Sequence, residues 1–440
     1  MPQEQELMEK IVSLCKRRGF VYPGSEIYGG LANSWDYGPL GTELRRNIKD
    51  AWWKRFVQRR TDIVGIETAV IMNPKVWVAS GHVGEGFADP LVECKNCHER
   101  FRADQIDAAA PCPSCGKKDT FTEPRMFNIL MKTFLGAVEG EKSEAYLRGE
   151  TAQGMFVNFK NVLDSNRVKP PFGIAQIGKA FRNEITPGNF IFRTREFEQM
   201  EIEYFIAPPK TDADWQAVFE MWRNEMYGWM RAVGIDTAQA SEFEVPAEEC
   251  AHYSKRTIDF MFAFPFGVKE LYGLAYRTDF DLKNHTEQSG QDLSYLDPET
   301  NERYIPHCIE PTWGVDRTVL AVLLSAYAND GERTVLKLNP SLAPYKAAVF
   351  PLLRNKPELV AKAQQIYDTL RTKYAIAWDD RGNIGKRYLA QDEIGTPACI
   401  TIDFDTLENE TVTVRDRDTK EQKRVAISEL SALIGASLEA

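Results

Sequence analysis

The chain has 440 residues, 43% of them hydrophobic and 27% charged, a balance that suits a soluble globular protein too long for one ordinary core. A net charge of −10 excludes a protein that coats nucleic acid through bulk positive charge, although local basic patches could still hold one. The acidic start has no apolar core of a secretory signal, and no apolar run reaches the length of a membrane span, which predicts a cytoplasmic protein without a membrane partner.

In chain order, Leu44, Ile48, Trp52 and Phe56 recur every fourth residue and predict an amphipathic helix over 42–60. The basic clusters around it (Lys16 to Arg18, Arg45 and Arg46, Arg59 and Arg60) read as solvated helix faces. Ile174–Ile177, Phe190–Phe192 and the alternating Met200–Ile206 read as strands. A second helix over 212–233 carries Trp215, Val218, Phe219, Trp222 and Trp229 as its apolar stripe, with Thr211 as N-cap. A third starts near Asp316 and buries Val319, Leu320, Leu323, Leu324 and Tyr327. Helices grouped apart from antiparallel strands predict an α+β domain. Gly331, Pro340 and Pro344 suggest a linker at 331–344. Beyond it, strands at Ala347–Leu352, Tyr374–Trp378 and Cys399–Phe404 flank a helix at Pro357–Lys373, the rhythm of a smaller α/β domain.

Of the eight cysteines, Cys94, Cys97, Cys112 and Cys115 form two Cys-x-x-Cys pairs. In a cytosolic chain this spacing means metal rather than disulfides, and four thiolates fill a tetrahedral structural zinc site with no open position for catalysis. Gly173 to Lys179 matches a phosphate-binding loop until Ala180, which lacks the hydroxyl that magnesium needs there. Its middle is an apolar strand, so the match is accidental. Phe181-Arg182-Asn183-Glu184, a turn at Pro187-Gly188-Asn189, and Arg193 to Glu201 form an antiparallel hairpin. Strand parity puts Arg182 with Glu184, and Arg193 with Phe197 and Glu201, on common faces. Spacing alone leaves open whether that surface is a salt-bridged ladder or a site.

Phe181-Arg182-Asn183-Glu184 followed by Arg193-x-x-x-Phe197 resembles motif 2 of the class II aminoacyl-tRNA synthetases. Gly314-Val315-Asp316-Arg317 at the head of an apolar helix resembles motif 3, and the stretch ending at Pro74 resembles motif 1, the usual dimer element. The resemblance narrows to the dimeric glycyl-tRNA synthetases and covers nearly the whole chain. It rests further on Gly29 to Gly41, Glu150-Thr-Ala-Gln153-Gly154, Arg277-Thr-Asp-Phe-Asp-Leu282 and Ile384-Gly-Lys-Arg-Tyr388. Two departures fall near the expected amino-acid pocket: Gly149 where the family has proline, and Thr312-Trp313 where it has Ser-Phe.

The resemblance implies an antiparallel-sheet catalytic domain over 1–335 with a zinc-ribbon insertion at 91–119, and an anticodon-binding domain over 336–440. It implies a homodimer that loads tRNA-Gly with glycine, using ATP and Mg2+, beside the structural Zn2+. By the same resemblance Arg182 holds the α-phosphate, Arg317 the γ-phosphate, Phe197 stacks on adenine and Glu184 meets its amino edge. Arg193 and Arg277 join them as ATP or pocket residues. Glu150, Gln153, Glu201, Glu310 and Thr312 are the implied glycine site. Relatives with the same C-terminal domain load threonine, proline or histidine, and a non-catalytic nucleic-acid-binding relative would be free to lose Arg182 and Arg317, which are both present here.

Overall fold

The computed structural model describes residues 2–84, 87–137, 143–331 and 333–439. A seven-stranded sheet is built from β1 (Ile63–Gly65), β2 (Phe172–Phe181), β3 (Glu196–Ile206), β4 (Ala240–Glu244), β5 (Arg256–Phe264), β6 (Gly267–Thr278) and β7 (His307–Gly314). Its order is β4-β5-β6-β7-β3-β2-β1, antiparallel throughout except for the β1–β2 pair. Because side chains alternate across a strand, Met200, Ile202, Ile258, Leu274, Ile309 and Trp313 face the helices and form the main core. The intervening residues, Glu201, Glu203, Arg277, Glu310 and Thr312 among them, are left for the opposite face. That face holds the site.

The longer helices of this part are α1 (Pro2–Arg18), α2 (Pro39–Trp53), α3 (Asp212–Ala232), α4 (Phe280–Ser289) and α5 (Val315–Ala326). α2 starts with Pro39 in its first turn, where the missing N–H is no loss. Gly41 lets it press on the preceding chain, since a Cβ there would lie 1.9 Å from the Phe20 carbonyl oxygen. One π-turn at Lys54–Gln58 carries the stripe on to Phe56, and all four predicted apolar residues are buried. At the start of α3 the Asp214 carboxylate accepts the Thr211 N–H at 2.8 Å. Among the described residues, no helix is long and apolar enough to cross a membrane.

Three local expectations are corrected. Phe190–Phe192 is a 3-10 turn, not a strand, because Asn189 and Phe190 take left-handed φ values of 56° and 60°. There Phe190 packs edge-on to Trp35 at 4.7 Å. Tyr327 does not extend α5; it opens a hairpin whose other strand, Arg333–Leu336, pairs Leu336 with Tyr327. The linker expected at 331–344 is therefore packed from 335 onward. Leu336, Leu338, Leu342 and Ala343 join the main core, and Asn47 Nδ2 donates to the Leu342 and Ala343 carbonyls at 3.1 Å.

The C-terminal part is a second sheet of β8 (Ala347–Pro351), β9 (Ile376–Trp378), β10 (Ala398–Ile402), β11 (Thr411–Asp416) and β12 (Gln422–Ala426), in the order β9-β8-β10-β11-β12. β8 is parallel to both β9 and β10, as α/β connections require, and α6 (Pro357–Leu370) and α7 (Ile384–Ile394) supply helices. α7 faces the first part of the chain through ion pairs. Buried Asp392 takes Arg333 Nη1 at 3.0 Å, and Glu393 takes Arg17 Nη1 at 2.6 Å.

Candidate active site and metal centre

The register of the large sheet lays out the floor of one cavity. Glu201 on β3 pairs with Thr312 on β7, Thr312 with Gly273 on β6, and Gly273 with Asp259 on β5. One step along, Ala275 pairs with Glu310. The cavity above encloses about 390 Å³ and is lined by Glu150, Arg182, Glu184, Arg193, Phe197, Glu201, Glu310, Thr312 and Arg317. Nine of the eleven residues that the resemblance assigns to ATP and glycine thus meet at one place. Gln153 and Arg277 lie behind the wall.

At one end the walls are arginine and aromatic. Arg182 donates Nε to the Gly149 carbonyl at 3.0 Å and lies between the Phe87 and Phe197 rings at 5.2 and 5.4 Å. Gly149 suits this packing, since a Cβ there would lie 3.0 Å from Phe87 and 3.2 Å from Leu130. Arg193 forks onto Glu184 at 2.7 and 2.8 Å. Neither of these two is within a strand, so parity did not bring them together; the turn closed by Gly188 and Arg193 did. Arg317 Nη1 meets the Glu270 carboxylate at 3.2 Å and its carbonyl at 2.9 Å, while its guanidinium covers the Phe192 ring at 4.6 Å.

The other end is acidic. Glu201 accepts from the Thr151 hydroxyl, from Gln199 Nε2 at 2.8 Å and from Thr312 Oγ1 at 3.3 Å. Glu150 takes Gln153 Nε2 at 2.9 Å and lies 3.2 Å from His82 Nε2. Beneath them Arg277, only 1% exposed, binds Asp281 through two bonds of 2.8 and 3.0 Å and Glu310 through one of 2.8 Å. Its guanidinium also lies 3.8 Å from the centre of the Tyr253 ring. Arg277 thus supports the carboxylates from behind and does not itself line the cavity. Gln153 is a second support, bridging Glu150, Asp281 and His285.

Oxygens of Glu201, Glu203 and Glu310 lie within 4.8 Å of one another, all buried. Burial, followed by repulsion from Glu201 and Glu150, pushes Glu310 up to about 8 although Arg277 opposes it. Burial and the neighbouring acids likewise raise Glu201 and Glu203. Glu150 is the contrast: His82 and Arg277 outweigh its burial and hold it well below the usual range. Such a cluster is short of positive charge. It suits a small cation with several N–H donors, as an ammonium has.

Sequence reasoning missed Glu203, Asp281, His82, Tyr253, Asp259 and Glu270. Glu203 was readable from parity with Glu201, whereas Asp281 on α4 meets Arg277 near the end of β6 only through the turn that joins the two elements. His82 reaches the site through long-range packing that left no pattern in the chain. Of the Thr312-Trp313 departure, Thr312 is in the cavity. Trp313 is not, being fully buried on the core face against Phe56 at 4.9 Å and Trp52 at 5.5 Å.

Away from the cavity, strands at Ala88–Glu93, Arg100–Arg102 and Arg125–Asn128 form a small sheet carrying the cysteine pairs. Each pair sits on a knuckle. His98 N–H returns to the Cys94 carbonyl and Gly116 N–H to that of Cys112, both at 2.8 Å, with His98 and Gly116 in left-handed conformations. Cys94 and Cys115, and Cys97 and Cys112, have sulfurs 3.7 Å apart, and all four sulfurs lie within 4.8 Å. Four thiolates about 2.3 Å from a tetrahedral zinc would be about 3.8 Å apart, so the donor set fits that ion.

An antiparallel sheet with arginines at one end of its cavity and carboxylates at the other, followed by a mixed α/β unit, defines a class II tRNA synthetase. The family profile described as "tRNA synthetase class II core domain (G, H, P, S and T)" matches residues 137–327, and that of an "Anticodon binding domain" matches 346–436. Proteins named glycine–tRNA ligase are similar over nearly their full length. That of Alkaliphilus oremlandii is 51% identical, covering 99% of both chains, and that of Acetivibrio thermocellus is 53% identical, covering 97% of both. That of Bacillus cereus is 50% identical over 98% of this chain and 99% of its own. The chain belongs to the glycine–tRNA ligase family, a family of ATP-dependent ligases.

Proposed function

We propose that the cavity joins glycine to ATP as glycyl-adenylate and then passes the glycyl group to the 3′ end of tRNA-Gly. The observation that carries this reading is the buried acidic pocket of Glu150, Glu201 and Glu310, which lines the same cavity as Phe197, Arg182 and Arg317. Glycine offers only an ammonium and a carboxylate, so a site can select it by clamping the ammonium and leaving no room for a methyl group. Its carboxylate is already nucleophilic. One oxygen forms a bond to the α-phosphorus as the bond to the bridging oxygen breaks and pyrophosphate leaves, with no general base. Catalysis is then positioning and charge stabilisation.

Arg182 serves the α-phosphate and Arg317 the γ-phosphate, since a guanidinium is permanently charged and its donor fork fits phosphate oxygens. Phe197 carries adenine, and Glu184, held by Arg193, meets the amino edge. Gln153 and Arg277 orient the acids that hold the ammonium. Asp259 and Glu270 line the Arg317 wall, and burial with the Glu270 charge lifts Asp259 to about 7, so this pair fits Mg2+ on the phosphates. Zn2+ at Cys94, Cys97, Cys112 and Cys115 would staple the insertion and take no part in the reaction.

The catalytic part is proposed as 1–335 with its insertion at 91–119, and the anticodon-binding part as 336–440, joined to it through 336–343, whose apolar residues pack in the main core, in a cytoplasmic homodimer. Charging of an unfractionated tRNA pool with each amino acid in turn tests the substrate. Glycine alone should be loaded, and loading of threonine, proline, histidine or alanine at a comparable rate would refute the assignment. Sedimentation equilibrium checks the dimer.

A further inference from the structure

Nearly every glycine of the seven-stranded sheet is required by the fold. A Cβ on Gly65 would lie 2.2 Å from the Trp53 ring, on Gly173 2.9 Å from Ile202, and on Gly178 2.2 Å from Arg148 Nη2. Gly267 follows the β5–β6 turn at φ +114°, and Gly314 is the N-cap of α5, a position that glycine fills well. Gly273 has no such reason. It lies inside β6, paired with Asp259 on one side and Thr312 on the other, and it is not among the residues of positive φ. A Cβ built on it would meet no described atom within 4 Å. Glycine inside a strand loses backbone entropy and packs nothing, so alanine would serve the fold at least as well.

The position is instead on the cavity floor. Thr312 and then Glu201 lie to one side of it, and Asp259 to the other, while Glu270 and Arg317 stand on the same wall of the cavity. Gly273 therefore falls between the acidic pocket and the phosphate wall. The link between the two substrates must cross there: the ribose and α-phosphate on which the glycyl group is built.

We propose that Gly273 is bare because the sugar–phosphate link of bound ATP, and then of the adenylate, lies in van der Waals contact with its backbone. This rests on the reading of the cavity as an ATP site. A methyl group at the position would occupy the ligand's volume while touching no described part of the protein.

Gly273→Ala and Gly273→Val in the full chain test it, by calorimetric titration with Mg-ATP, by thermal unfolding and by pyrophosphate exchange. ATP should bind about tenfold more weakly in the alanine variant and about a hundredfold more weakly in the valine variant, the scale of overpacking by one or more methyl groups. Tm should be unchanged or raised, and the KM for glycine should stay within about twofold. Three results overturn the proposal: ATP affinity kept in both variants, a fall in Tm in both, or a rise in the glycine KM with ATP binding intact. The titration needs no glycine. If the unmutated chain binds ATP but gives no glycine-dependent exchange, the substrate assignment fails while this test still stands.

Discussion

Arg277 is the residue whose place in the structure changes what a mutation should do. Among the described residues, its guanidinium is the one fixed positive charge in contact with Asp281, Glu310 and Glu150, at 2.8, 2.8 and 3.7 Å. It is 1% exposed and does not line the cavity whose carboxylates it supports. Arg277→Met keeps much of the volume but leaves Asp281 and Glu310 buried without a counter-charge, a change that costs about 3–5 kcal/mol when one partner of a buried pair is lost. The acids would relieve part of this by taking up protons, and protonated acids no longer attract an ammonium. The KM for glycine should therefore rise by about a hundredfold or more, with ATP affected less than about threefold in protein that remains folded. Arg277→Lys keeps the charge but loses the two-pronged contact with Asp281, so its defect should be intermediate. Pyrophosphate exchange at varied glycine and at varied ATP reads both constants, and far-UV circular dichroism checks the fold. An equal rise in the two constants would return Arg277 to the ATP wall and refute the support role.

Arg182→Ala or Arg317→Ala should abolish adenylate formation with the fold intact, each losing about 3 kcal/mol or more of transition-state stabilisation; near-normal pyrophosphate exchange in either would sink the phosphate assignments. Glu201→Gln should raise the glycine KM far more than the ATP KM, by about 2–5 kcal/mol of binding, and Thr312→Ser should admit alanine slightly better, both read from exchange kinetics with the two amino acids. Glu310 must lose its proton to receive an ammonium, so glycine affinity should strengthen as pH rises from about 6.5 towards 8 and level off above, and Glu310→Gln should flatten that profile. The stability effect has the opposite sign. With its folded value near 8, above the unfolded 4.5, Glu310 stabilises fully below pH 4.5 and loses that contribution as pH rises to about 8, so glycine should raise Tm more at pH 8 than at pH 6. Protein prepared without added metal should carry one zinc per chain by elemental analysis, and finding none with all four cysteines titratable would refute the zinc site.

Part of the layout of the site was legible because it lies in short segments whose local order is fixed. Two Cys-x-x-Cys pairs form knuckles, and the structure brings their four sulfurs within 4.8 Å of one another. The alternation in Met200–Ile206 already separates Met200 and Ile202 from Glu201 and Glu203, so one face had to be core and the other polar. The stripe from Leu44 to Phe56 fixed a helix and its buried side, with a single π-turn as the only deviation. Which strands become neighbours is a different matter, since pairing is set by how the whole sheet packs on its helices and no local pattern encodes it. That Gly273 lies between Asp259 and Thr312, that His82 reaches Glu150, and that Arg277 sits against Glu310 behind the cavity follow from contacts between residues far apart in the chain. The 331–344 segment makes the same point in reverse. Its glycine and prolines announce a break, but Leu336, Leu338 and Leu342 find room in the main core, and burial of apolar surface overrides the local signal.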